Sequence, residues 1–129
     1  MTKNFENFPV YLKSLDLIEK VYLFLRGQGL EKEFEFSNQI KRAGFSVSNN
    51  IAEGSEYNNN RQFIKYLKIA KGSCAEVRSM MIVSKRLKLG DENIAEEIIN
   101  LSREISSNIS NFVKYLSENI EKPQSLNFK

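Results

Sequence analysis

The chain has 129 residues, with 19 Lys and Arg against 16 Asp and Glu, one Cys, two Pro, no His and no Trp. The length suffices for one domain with a substantial core, and the missing His excludes Ser-His-Asp, Cys-His and His-zinc chemistry. The lone Cys74 forms neither an internal disulfide nor a cysteine zinc site, and the apolar runs are too short to span a membrane. Met1 to Phe8 lacks the basic-then-apolar layout of a secretory signal, so the expectation is a soluble single domain of the cytoplasm.

Four stretches carry a helical apolar period. The first, about 9–26, spaces Tyr11, Leu15, Ile18, Tyr22 and Leu25 by three or four, with Pro9 suited to a first turn and Gly27 and Gly29 to its end. The second, about 33–55, reads Phe36, Ile40, Ala43, Val47, Ile51 and Gly54. Asn58, Asn59 and Asn60 follow, and any of them suits the cap of the next helix. The third, about 60–88, reads Phe63, Leu67, Ala70, Cys74, Val77, Met81 and Ser84, with Gly90 where a C-terminal cap is expected. Asp91 suits the cap of the fourth, about 91–119, which reads Ile94, Ile98, Leu101, Ile105, Asn108/Ile109, Phe112 and Leu116. No stretch alternates as a strand does.

Short links make neighbouring helices antiparallel, so the expected fold is all-α: an up-down four-helix bundle over residues 1–122, with a flexible polar tail at 123–129. Helices three and four register at one offset that pairs Met81 with Leu101, Val77 with Ile105, Ala70 with Phe112 and Leu67 with Tyr115. Cys74 then faces Asn108 and reads as a small buried hydrophobe rather than a reactive thiol.

Charge is segregated. Residues 60–90 hold eight basic residues against Glu76 alone, whereas 91–121 hold seven acids against Arg103 and Lys114. Arg61, Lys65, Lys68 and Arg86 cluster opposite the apolar seam, and Lys71, Arg78 and Lys85 form a heptad-spaced row beside it. Glu97, Glu104 and Glu118 are themselves heptad-spaced. Three readings follow: a phosphate-binding face for nucleic acid, a solvated face balancing the acidic fourth helix, or a basic flank that meets the acidic flank of another subunit in a ring.

The second helix carries a polar row, Gln39, Arg42, Ser46, Asn50 and Glu53, beside its apolar one. With Glu76 it reads as a hydrogen-bonded network fixing helix register, Arg42 satisfying Glu53 or Glu76. Protein or RNA contact, or a paired-carboxylate site, are the alternatives. Dinuclear carboxylate bundles draw on Glu-x-x-His pairs, which this chain lacks, so no metal or cofactor is expected. The run Gly72-Ser73-Cys74-Ala75 allows another backbone to approach closely, within the subunit or between subunits. Gly27-Gln28-Gly29 lacks the rest of any nucleotide fingerprint.

Gln39-Ile40-Lys41-Arg42-Ala43, Ser46-Val47-x-x-Asn50-Ile51-Ala52-Glu53-Gly54 and Phe63-x-x-Tyr66-Leu67-x-Ile69-Ala70-x-Gly72-Ser73-x-x-Glu76 together resemble the bacterial proteins encoded by intervening sequences of 23S ribosomal RNA genes. The likeness spans about residues 36–90. It departs in the turn, where Asn58 to Asn60 precede Arg61 and Gln62 precedes Phe63 in place of a Ser or Thr cap and a Glu, and Gly44 replaces the more usual Ala. The resemblance implies an all-helical up-down bundle, a homo-oligomer with pentamers among relatives, and no known enzymatic activity. The family's genomic association suggests ribosomal RNA. The similar accessory protein of diversity-generating retroelements is a basic pentameric barrel that engages nucleic acid and a reverse transcriptase.

The sequence and the resemblance thus lead to a non-enzymatic homo-oligomeric bundle, expected as a pentameric ring, associated with RNA or a ribonucleoprotein. Arg61, Lys65, Lys68 and Arg86, with Lys41, are the candidate phosphate contacts, and Arg42, Asn50, Glu53 and Glu76 the candidate network. The alternative is an assembly scaffold with no nucleic-acid partner. No small-molecule substrate is expected.

Overall fold

A computed structural model describes residues 4–120. It contains four helices: α1 (Pro9–Leu25), α2 (Phe34–Ser55), α3 (Asn60–Leu87) and α4 (Glu92–Glu118), preceded by a 3-10 turn at Phe5–Asn7. No strand occurs among the described residues. The expected tail at 123–129 lies outside them.

Local chemistry sets the boundaries. Pro9 opens α1, where a missing N–H costs nothing. The three asparagines before α3 each do something different. Asn58 adopts φ 47°, Asn59 caps the helix by accepting from the Gln62 N–H at 3.1 Å, and Asn60 turns inward. From there its side-chain amide donates to the carbonyls of Leu116 and Asn119, both at 3.2 Å. Asp91 caps α4 as expected, accepting from the N–H groups of Asn93 and Ile94. The end of α3 differs from expectation. Lys88, not Gly90, takes the left-handed cap position at φ 58°, and its neighbour Leu89 donates to the carbonyl of Ser84. Gly90 instead makes room for the chain. At its φ of 72° a Cβ would lie 2.5 Å from the Phe24 ring, so only glycine lets this turn close over the end of α1.

The helices run up and down. Partners in α1 and α4 run in opposite numerical order, Lys13 with Glu104 and Lys20 with Glu97. The same holds for α2 and α3, where Gln39 meets Glu76 and Ser46 meets Ser73. Between α3 and α4, Lys85 meets Glu96 and Arg78 meets Ser102. Each helix packs on two others, α1 against α2 and α4 and α3 against α2 and α4. Thus α1 and α3 occupy one diagonal and α2 and α4 the other.

The apolar rows of α2 and α3 form the core as expected, with Ile40, Val47, Ile51, Phe63, Leu67, Ala70, Cys74, Val77 and Met81 all buried. Two expectations need correction. In α1 the buried row is Val10, Ser14, Leu17, Val21 and Phe24, one residue out of phase with the row starting at Tyr11, whose Leu15 is exposed. In the α3–α4 hairpin the register is shifted: Leu116 is buried whereas Tyr115 is exposed, and Cys74 faces Ser106 rather than Asn108.

An aromatic cluster closes one end. The Phe63 and Phe112 rings meet edge to face at 5.1 Å, and Phe8, buried ahead of α1, stacks on Phe63 and meets Phe112 at 5.6 Å. Beside it α2 approaches α3 closely, since a Cβ on Gly54 would sit 2.7 Å from the Tyr66 Cβ.

Candidate nucleic-acid interface

Burying Phe63, Leu67, Ala70, Cys74 and Val77 leaves Arg61, Lys65 and Lys68 on the opposite, exposed side of α3. These three lie within two turns of one another. The flank of α3 toward α4 is also basic, and there the structure shows where the charges go. Arg78 donates to the Ser102 hydroxyl at 3.3 Å, and the Lys85 ammonium lies 2.5 Å from Glu96. The hydrogen bond to Glu96 raises the Lys85 pKa, and Lys85 in turn holds the Glu96 carboxyl below its usual range, with help from nearby Arg103.

Arg103 therefore belongs to the α3 side of α4. Lys114, eleven residues on and three helical turns away, continues the same row. Both are exposed. The acids of α4 turn elsewhere: Glu97 and Glu104 pair with Lys20 and Lys13 of α1 at 2.9 and 2.6 Å. The result is a basic face shared by two helices, formed by Arg61, Lys65, Lys68, Lys71 and Arg78 with Arg103 and Lys114. Its acidic neighbours on the same helical segments, Glu76 and Glu104, are turned toward α2 and α1. Summing α4 as the acidic counterweight of α3 passes over Arg103 and Lys114. The spacing of Glu96, Arg103 and Lys114 by seven and eleven is the signal in the sequence that finds them.

Two candidate contacts lie apart from this face. Arg86 is eighteen residues beyond Lys68, about 27 Å away at ~1.5 Å per residue. Lys41 lies on the α1 side of α2, its ammonium 5.1 Å from the centre of the Tyr22 ring.

The polar row of α2 meets α3, but it is organised around Ser46. The Ser46 hydroxyl accepts from the Ser73 hydroxyl at 2.7 Å and from the Asn50 amide at 3.0 Å, while that amide also donates to the Ser46 carbonyl at 2.7 Å. Gln39 donates to Glu76. Arg42 stands outside this network, with no ion-pair partner among the described residues, so Gln39 takes the place expected of it. Glu53 lies beside Tyr66, whose hydroxyl is 3.1 Å from that of Tyr57 beneath stacked rings. The bond to Tyr57 pushes the Tyr66 phenol up to about 12, with Glu53 adding to the effect. Among the described residues no three acidic or Cys side chains converge as a metal-holding group. No helix among the described residues is long and apolar enough to cross a membrane.

Fold and surface together define a class: an all-α protein of four packed helices with a basic face spread over α3 and α4. The chain belongs to the 23S rRNA-intervening sequence protein family, whose model matches residues 6–111. That match extends well beyond the stretch that carries the sequence resemblance. It is also similar to the crystal structure of a protein with unknown function from the S23 ribosomal protein family of Bacteroides thetaiotaomicron VPI-5482. The two are 30% identical with a TM-score of 0.73, over 81% of this chain and 98% of that one. No curated protein matches the chain.

Proposed function

We propose that the chain is a non-enzymatic, homo-oligomeric helical bundle of the cytoplasm that associates with RNA or a ribonucleoprotein through the α3–α4 face. The observation that carries this reading is the sorting of charge: α4 directs Glu97 and Glu104 to α1 and Arg103 and Lys114 toward α3. Closely spaced cations on one face neutralise successive phosphates and release their counterions. The names of the family and of the similar structure, which refer to 23S rRNA and to a ribosomal protein family, support the same partner.

The test is binding to structured RNA across a salt series. Affinity falls linearly on logarithmic axes, and each phosphate contact removed lowers the slope by about 0.7–0.9. Lys65→Glu with Lys68→Glu abolishes binding, Arg103→Glu with Lys114→Glu weakens it strongly, and Lys41→Glu leaves it unchanged. Binding with no salt dependence overturns the reading. No binding at any salt concentration favours the assembly scaffold instead, for which the exposed apolar side chains of α1 and α3 speak.

A further inference from the structure

Exposed aromatic rings occur at several places on the bundle, and one pair differs from the rest. Phe34 projects from the first residue of α2, and Phe45 meets the Tyr22 ring of α1 at a steep angle. Tyr57, just past the end of α2, instead lies flat on Tyr66 of α3. Their ring centres are 5.2 Å apart, their planes only 16° from parallel, and their hydroxyls 3.1 Å apart. Tyr66 is the inner, half-buried ring, pinned where Gly54 lets α2 approach α3. Tyr57 is the outer ring, and with one side covered it is still 46% exposed.

The turn holds this outer ring in place. The Tyr57 N–H donates to the Gly54 carbonyl at 3.3 Å, which continues the last turn of α2. Asn58, at φ 47°, then swings the chain into the Asn59 cap of α3. A flat ring fixed by backbone on one side and backed by a second ring loses little freedom when something binds on it. Unpaired nucleobases stack on such surfaces, whereas the bases of a duplex are already stacked on one another.

Charge sets the side from which a strand arrives. Glu53, beside Tyr66, and Glu56 stand exposed on α2 and repel phosphate there. On α3, Lys65 adjoins Tyr66 in the chain and Arg61 lies one turn before Lys65, both exposed. These two cations belong to the basic face described above, so the tyrosine stack forms its edge toward α2. We infer that Tyr57 is the platform on which one unpaired base of a bound RNA stacks, the RNA backbone running past Arg61 and Lys65. The inference rests on the RNA reading and deepens it, naming a looped or single-stranded segment rather than a duplex as the partner.

Two RNA probes of equal length and charge test it, a hairpin with an unpaired loop and a fully paired duplex, each titrated with the full chain at fixed salt. Tyr57→Ala and Tyr57→Leu weaken loop binding by about 5- to 150-fold, the range for one stacked base. Both leave duplex binding and the salt slope of loop binding unchanged, because no cation is lost. Tyr57→Phe keeps the ring and binds as the wild type does. A fluorescent adenine analogue in the loop is quenched by the wild type and by Tyr57→Phe but not by the other two. Circular dichroism establishes that each variant is folded, and Tyr57→Leu keeps apolar cover over Tyr66. A wild type that binds RNA, with Tyr57→Ala and Tyr57→Leu binding the loop equally well, overturns the platform and leaves the RNA reading standing. An equal loss on loop and duplex does the same. A wild type that binds neither probe at any salt concentration overturns both.

Discussion

Asn60 reaches from the first residue of α3 to the carbonyl of Leu116 near the end of α4, at 3.2 Å, and is 4% exposed. The same amide serves the Asn119 carbonyl at 3.2 Å, so one side chain ties down the last turn of α4, where the Leu116 carbonyl also accepts the Asn119 N–H. Asn60→Leu removes both bonds at a site where water has little access. The expected loss is about 1–3 kcal/mol of unfolding free energy in urea titration. Asn59→Ala, which removes only the cap, costs about 1 kcal/mol. Equal effects of the two would mean that the inward amide is no more than a surface contact.

Two glycines of α2 predict opposite outcomes for the same substitution. At Gly54 an added methyl collides with the Cβ of Tyr66 and the ring of Phe63, so Gly54→Ala forces α2 and α3 apart and costs about 1–3 kcal/mol. At Gly44 the nearest atom is a side-chain carbon of Ile18 at 3.8 Å, an ordinary contact. Gly44→Ala therefore gains helix propensity without strain and stabilises by about 1 kcal/mol. Thermal unfolding of the two variants should move in opposite directions.

What the sequence made legible follows from how local each feature is. Helix ends came within a residue or two because Pro9, the asparagines before α3 and Asp91 act on their own neighbours. The buried rows of α2 and α3 were legible because each is flanked by polar residues. In α1, apolar residues cover more than one face, so the row through Leu15 competes with the true one, and the true one contains Ser14. Register between α3 and α4 escaped because a heptad pattern fits several small offsets equally well. The anchors that choose among them, Asn60 on Leu116 and Arg78 on Ser102, are polar contacts that a count of apolar layers passes over. The basic face was half legible for a related reason: charges summed by helix hide which side of the helix each one occupies.

Cys74 gives a prediction in pH. Burial pushes its thiol from 9.0 up to about 11, only partly offset by the Ser106 hydroxyl and by Arg78. The folded state thus holds the proton more tightly than the unfolded one. The contribution, on the order of 2 kcal/mol, is fully present below about pH 9 and is lost as pH rises through about 11. The stability difference between the wild type and Cys74→Ala should shrink over that window and be flat near neutrality. In native protein near neutral pH the thiol should react with aromatic disulfides far more slowly than in urea.

The two ties between α1 and α4 predict a dependence on salt. Lys13 with Glu104 and Lys20 with Glu97 stand seven residues apart on both helices, so they form one antiparallel ladder along a single edge of the bundle. Their side chains are one third to one half exposed, which limits each pair to about 0.2–1 kcal/mol and leaves it open to screening. Glu97→Lys with Glu104→Lys replaces both attractions by repulsion between the same helices. The urea midpoint should fall at low ionic strength, and much of the loss should vanish in concentrated salt. Adding Lys13→Glu and Lys20→Glu restores the attraction with its signs exchanged and should recover most of the stability. A loss that persists unchanged in high salt, or a fourfold variant no more stable than the double one, would show that the glutamates act through packing rather than through charge.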